Sequence, residues 1–355
     1  LLERIATETL APPLRAQVLG LQSALFEAGG HARTAMTICD DAIEAARIAG
    51  DQRLVGRLLR LRARGHFETG EKAFARADLE DALRINTAVG DLTGEAQTRG
   101  AMAYYGEGTM DMEECRRQRE RALALYAEDG NRAREASALH NLGSWYGDVG
   151  DQAKALDLTE KSLTIHRELG NRRSQAIAHC NLGLYHRDLD DIPSALEHYA
   201  QALRIAGEVG IRRLQAIAMG NKGDLLADTG DLDAAEAHYR DAIRICDDLG
   251  QAVIGGTFRG SLAVIWAQRG DLATARALIK LGVTALRGVH ALEYGKLLGK
   301  MAKVEAYGGD LERAAAAVAE VETLIEEMGL RPDSEVHRGL NQAIALLSTV
   351  QIPSK

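Results

Sequence analysis

Asn141, Asn181 and Asn221 stand 40 residues apart, and Asp148, Asp188 and Asp228 follow them at a constant offset. A carboxamide carries both a donor and an acceptor, the complement of a peptide unit, so a row of them can hold an extended backbone whatever its side chains. Carboxylates beside that row would draw Lys or Arg of a partner, acting mainly on association rate and selectivity. Catalytic chemistry has no comparable signal. There is no phosphate-binding loop, no glycine fingerprint after a strand, no HExxH, no GxSxG and no calcium loop. The ten histidines are scattered, and only His140, His179 and Cys180 form a grouping with any metal-like character. None of these has a second ligand three or four residues away on its own helix, so neither a metal nor another cofactor is expected, and the chain reads as a non-enzyme.

The elements that would position the asparagines are written in the glycines. Gly50-Asp51, Gly90-Asp91, Gly130-Asn131, Gly170-Asn171, Gly210 and Gly250 mark one 40-residue series. A second falls halfway between: Gly30, Gly70-Glu71, Met110-Asp111, Gly150-Asp151, Asp190-Asp191, Gly230-Asp231, Gly270-Asp271 and Gly309-Asp310. Gly ends a helix in the left-handed conformation, and the following Asp or Asn caps the next helix. The repeat is therefore a helical hairpin, each helix about 16 to 18 residues long. In the second helices, Ala35, Ala75, Cys115, Ala155, Ala195, Ala235, Ala275 and Ala314 share one register. Seven residues on come Ala42, Ala82, Ala122, Ser162, Ala202, Ala242 and Gly282. This small-residue stripe predicts close packing of neighbouring helices.

The pattern of Asn141-Leu142-Gly143, Tyr146, Gly150-Asp151, Ala155 and Gly170-Asn171, repeated from Asn181-Leu182-Gly183 through Gly210, resembles a tetratricopeptide repeat (TPR) array. It is similar to the long form of about 40 residues found in kinesin light chains and bacterial TPR regulatory proteins. The resemblance implies an all-α, right-handed superhelical solenoid of about eight helix-turn-helix repeats with a C-terminal capping helix. The expected repeats are 11–50, 51–90, 91–130, 131–170, 171–210, 211–250, 251–289 and 290–329, with the cap over 333–349 opened by Pro332, all one domain across 1–355. In such arrays the first helices line a concave groove. The inner columns are then Ser137, Asn141, Ser144, Asp148; Ile177, Asn181, Leu184, Asp188; and Ile217, Asn221, Asp224, Asp228. In kinesin light chains and spindle-orientation adaptors, asparagines at this place grip peptide backbones, which the resemblance carries to Asn141, Asn181 and Asn221.

Several readings stay open in the sequence. The asparagines either hold a peptide or bridge to an adjacent helix. The aspartates, in last helical turns where the macrodipole disfavours negative charge, either await a basic partner or sit in solvent with arginine counterions. Trp145 and Tyr185 are either groove anchors or core fillers between repeats. Arg132, Arg134, Arg172, Arg173, Arg212 and Arg213 open first helices and either contact another domain or neutralise nearby acids. Gly94, Gly100, Gly106 and Gly108 in repeat 3, like Gly255, Gly256 and Gly260 in repeat 7, either permit close packing or soften the helix, in repeat 3 as a hinge after residue 110.

Composition narrows the partner. With 43 Lys and Arg against 51 Asp and Glu, the formal charge of -8 disfavours nucleic acid. No apolar run approaches a membrane span, and residues 1–13 lack the layout of a secretion signal, so a cytoplasmic protein is expected. Four well-separated cysteines argue against a disulfide framework. A first residue that is Leu suggests a piece of a longer chain. The function these features support is a scaffold binding a protein or peptide in its groove, as the sensor or docking part of a larger bacterial signalling or regulatory protein. The rivals are a self-associating module, a segment contacting other domains of its parent chain, and a receptor for a small signalling peptide.

Overall fold

A computed structural model describes residues 10–106, 110–328 and 334–350; Leu1, Gly108 and Pro332 lie outside them. The chain divides into two compact units, residues 1–142 and 143–355, with the boundary inside one helix. The first unit holds α1 (Pro12–Ala28), α2 (Ala32–Ile48), α3 (Gln52–Glu68), α4 (Lys72–Ala88), α5 (Leu92–Tyr105), α6 (Met112–Glu128) and the start of α7 (Arg132–Asp148). The second holds the end of α7, then α8 (Gln152–Glu168), α9 (Arg172–Asp188), α10 (Ile192–Val209), α11 (Arg212–Asp228) and α12 (Leu232–Asp248). It continues with α13 (Ala252–Gln268), α14 (Leu272–Leu286), α15 (Ala291–Tyr307), α16 (Leu311–Met328) and the terminal α17 (Glu335–Val350). Among the described residues there is no strand. The helices pair as the glycine punctuation predicts, and most are 17 residues long.

One junction shows how the sequence makes the hairpin. At the end of α8, the Gly170 N–H donates to Arg167 O at 3.1 Å and the Asn171 N–H to His166 O at 2.9 Å. This satisfies carbonyls that the helix leaves open and needs Gly170 at φ 66°. Asn171 then caps α9, its Oδ1 accepting from the Ser174 N–H at 3.2 Å. Asp51, Asp91, Asp151, Asp191, Asp231 and Asp271 cap their helices in the same way. Where repeat 5 lacks its midpoint glycine, Asp190 takes the left-handed place at φ 59°, a conformation Asp tolerates better than most residues.

The small-residue stripe is buried throughout, from Ala35 to Ala314. In the second unit it lets aromatic side chains of second helices lie against first-helix backbone: Tyr199 meets Gly183 and Tyr239 meets Gly223. These tyrosines centre the cores around Ala195, Ile205 and Leu225, and around Ala242, Phe258 and Ile265. A third core joins α13 to α17 through Leu297, Val321, Val336 and Leu340, so the terminal helix covers the last apolar face. In the first unit, Leu54, Leu58 and Leu59 of α3 pack on Cys39, Ala42 and Ile43 of α2.

The glycine-rich helices divide between the two alternatives. A Cβ at Gly260 would lie 2.6 Å from Leu297 and one at Gly256 3.2 Å from Ala285, so repeat 7 uses these glycines for close packing. In repeat 3, Gly94 is similarly enclosed, with Asp91 Oδ2 at 2.5 Å, whereas Gly100 faces open space. Gly106 ends α5, which spans 14 residues.

Candidate functional site

First helices approach one another across successive hairpins: α1 with α3 and α3 with α5 in the first unit, α9 with α11, α11 with α13 and α13 with α15 in the second. Their shared side is the inner face, and in the second unit the asparagine register continues as Asn181, Asn221, Ser261 and Lys300. Asn181 and Asn221 are half-buried there. The Asn221 Nδ2 donates to Cys180 Sγ on α9 at 3.6 Å. Bridging to an adjacent helix is thus realised for Asn221, and it uses one of the two donors of that carboxamide. Asn181 and the half-buried Ser144 act to lower the Tyr185 pKa, but burial, the stronger influence, pushes it up to about 12.

Around Asp224 a polar chain links four helices, α11, α12, α13 and α15. The Tyr239 hydroxyl donates to Asp224 Oδ1 at 2.6 Å and the Ser261 hydroxyl to the same oxygen at 3.1 Å. Lys300 Nζ donates to Ser261 Oγ at 2.6 Å. Ser261 and Lys300 are not among the candidate residues drawn from the sequence. Their shared register was the available signal, since any polar residue at that place reaches its neighbour.

The aspartates differ in environment. Asp188 is largely covered, its side chain 15% exposed, and it takes a hydrogen bond from Gln152 Nε2 at 3.2 Å. Arg187 lies 3.8 Å from it and Arg338 of α17 3.9 Å. Asp228 keeps 65% exposure with Arg187 at 4.0 Å. Its pKa is raised, first by the loss of solvent among the inner helices and also by the like charge of Asp224, against the pull of Arg187 and Lys303. Lys303 is itself lowered by burial, with Lys300 adding to the effect. Asp148, at the end of α7, is exposed.

The two aromatic candidates are buried. Trp145 is 9% exposed and packs edge-on against Tyr146 at 5.0 Å between centroids. Tyr185 is 3% exposed, and its ring closes on the backbone of Gly147. Both follow their asparagine by four residues, on nearly the same side of the helix, but their rings are turned into the core. Asn141 is exposed on α7 and belongs to the first unit. Three of the six edge arginines neutralise acids: Arg132 pairs with Glu135 at 2.8 Å, Arg212 with Asp248 at 2.6 Å, and Arg172 with Glu208.

Among the described residues no group of three or more His, Cys, Asp or Glu could hold a metal ion. His179 instead lies with its Nδ1 3.0 Å from that of His198, whose ring stacks on His186. Cys180 is buried, which raises its thiol pKa to about 12 and leaves it unreactive. No described helix is long and apolar enough to cross a membrane.

A family model described as the MalT-like TPR region matches residues 94–280, just over half of the chain. No curated protein sequence matches it significantly. Among solved structures, the chain is similar to a signal transduction ATPase with numerous domains carrying a tetratricopeptide repeat sensor, from Pyrococcus horikoshii, at 16% identity and a TM-score of 0.63. That match covers 76% of this chain and 42% of the other, so the chain spans less than half of that relative's length. A Rap protein complexed with competence and sporulation factor is similar at 17% identity and a TM-score of 0.59, over 95% of this chain and 97% of that one. NprR in complex with its cognate peptide NprX is similar at 14% identity and a TM-score of 0.59, over 94% and 99%.

Proposed function

The chain belongs to the MalT-like TPR family, and we propose that it is a peptide-binding regulatory module whose main site is the inner face formed by α9 and α11. Asn181 and Asn221 hold the backbone of an extended segment, and Asp188, Asp224 and Asp228 select Lys or Arg within it. The observation that carries this reading is the openness of Asp228: its carboxylate is 65% exposed with Arg187 no nearer than 4.0 Å, so it can receive a cation brought by a ligand. The similar structures support the class of ligand, since Rap and NprR are seen with a signalling factor and a peptide, and the Pyrococcus protein carries its repeats as a sensor. In this reading the chain acts by binding and not by catalysis, as the sensor or docking part of a larger bacterial regulatory protein. Asp148, at the end of α7 and within the second unit, extends the site in the same proposal.

The test is selection of a random peptide library on the immobilised chain. Enriched peptides are expected to carry Lys or Arg and to lose affinity for a chain with Asp188, Asp224 and Asp228 all changed to Asn. Enriched peptides that bind both chains equally would remove the carboxylates from the site.

A further inference from the structure

The first unit carries the opposite charge on its inner face. Arg53, Arg57 and Arg60 fall at i, i+4 and i+7 of α3, on one side of the helix, and extend over about 10 Å at the helical rise. With Arg134 of α7 they line a cavity of about 850 Å³. Among the described residues no carboxylate forms an ion pair with any of the four. Asp51 and Asp91 also face the cavity but are committed to caps, accepting the N–H of Leu54 at 3.0 Å and of Gly94 at 2.9 Å. Among the described residues Arg60 donates its hydrogen bond to the Gln97 carboxamide. Burial lowers its pKa, as do the like charges of Arg134 and Arg57, against the opposing pull of Tyr126 and Asp91. Four arginines against two carboxylates leave this cavity with an excess of positive charge, against the trend of a chain with a net charge of -8.

We propose that this cavity is a second binding site, for an acidic peptide segment whose Asp or Glu carboxylates pair with Arg53, Arg57, Arg60 and Arg134. The layout distinguishes it from a site for one small anion, because the guanidinium-bearing positions are strung along the helix. Gln17, Arg57 and Gln97 share one register 40 residues apart, so amide donors and acceptors line the course of an extended chain across α1, α3 and α5. Guanidinium suits this role, since it forks onto carboxylates and cannot be neutralised. The site differs in place and charge from that of α9 and α11.

The probe is a fluorescein-labelled peptide of alternating Glu and Ser, with a Gln and Ser peptide of equal length as control, read by fluorescence anisotropy at about 50 mM salt. The Glu peptide is expected to bind, and the Gln peptide at least roughly tenfold more weakly. Arg53→Glu and Arg57→Glu are each expected to weaken the Glu peptide by roughly tenfold or more. Both residues are exposed, so an unchanged thermal melt by circular dichroism verifies the fold. Asn in place of Asp188, Asp224 and Asp228 should leave this binding unaltered, which separates it from the basic-peptide site. Absence of binding, equal binding of both peptides, or insensitivity to the two Glu substitutions would overturn the proposal. Complete displacement by stoichiometric pyrophosphate would overturn it too, in favour of a small-anion site.

Discussion

Arg338, on the terminal helix, holds its Nη1 3.9 Å from Asp188 Oδ2 on α9. A cation of the chain itself therefore stands beside a carboxylate that the proposed ligand would use. With Arg338 51% exposed, such a pair contributes roughly 0.2–1 kcal/mol. Arg338→Ala is accordingly expected to tighten binding of a Lys- or Arg-containing peptide by about 1.5- to 5-fold. In an Asp188→Asn background the same change should have no effect. Calorimetric titration of the four chains measures the coupling, and a loss of affinity on removing Arg338 would show that it helps to hold the ligand.

Two tyrosines at one repeat position behave oppositely. The Tyr199 hydroxyl is buried without a hydrogen-bond partner among the described residues, whereas the Tyr239 hydroxyl donates to Asp224. Removing an unsatisfied buried hydroxyl is close to neutral or stabilising, while removing the donor to a half-buried carboxylate costs about 1–3 kcal/mol. Tyr199→Phe is expected to leave the urea midpoint unchanged or higher, and Tyr239→Phe to lower it. Equal losses in both would mean that Tyr199 has a partner, such as a buried water.

The glycines offer a similar contrast. A Cβ at Gly183 would meet the Tyr199 ring at 2.7 Å, whereas one at Gly100 meets nothing within 4 Å. Gly183→Ala is expected to destabilise by about 1–3 kcal/mol through overpacking. Gly100→Ala should stabilise by about 0.5–1 kcal/mol, because Ala restricts the unfolded chain and favours the helix. Thermal melts of both variants decide it, and a destabilised Gly100→Ala would reveal a packing demand on α5.

Stability should fall in mild acid. Burial lowers the His179 pKa to about 4, helped by His198 and Arg167, against about 6.5 in an unfolded chain. Between these values the unfolded chain binds more protons, so stability is full above pH 6.5 and declines as pH drops toward 4, by on the order of 3 kcal/mol. Urea titrations at pH 7.5 and 5 are expected to show this loss, and His179→Gln to reduce it. An undiminished loss in the variant would assign the acid sensitivity to other groups.

Much of this was legible because helix ends are local. Gly170 and Asn171 determine a stop and a start within two residues, and even the missing glycine at 190 was replaced by a residue that tolerates the same backbone. The inner columns were legible as columns, but not their bonding: that Asn221 reaches Cys180, or that Ser261 carries Asp224 toward Lys300, depends on distances between helices that periodicity does not contain. Trp145 and Tyr185 were ambiguous because each follows its asparagine by four residues, on nearly the same side of the helix, while its ring is turned into the core. Arg338 near Asp188 depends on how successive hairpins accumulate across the second unit, which no local pattern records. The spacing of Arg53, Arg57 and Arg60 was visible, but it acquires meaning only once Asp51 and Asp91 are seen to be occupied as caps.

The central claim rests on Asn181 and Asn221, and the direct measurement is calorimetric titration of a library-selected basic peptide into the chain and into the Asn181→Ala, Asn221→Ala double variant, each verified by circular dichroism. Loss of roughly 1–3 kcal/mol of binding energy, about 5- to 150-fold in affinity, is the expected result for buried hydrogen bonds to the peptide backbone. Unchanged affinity in a folded double variant would contradict it and leave the asparagines as braces between helices.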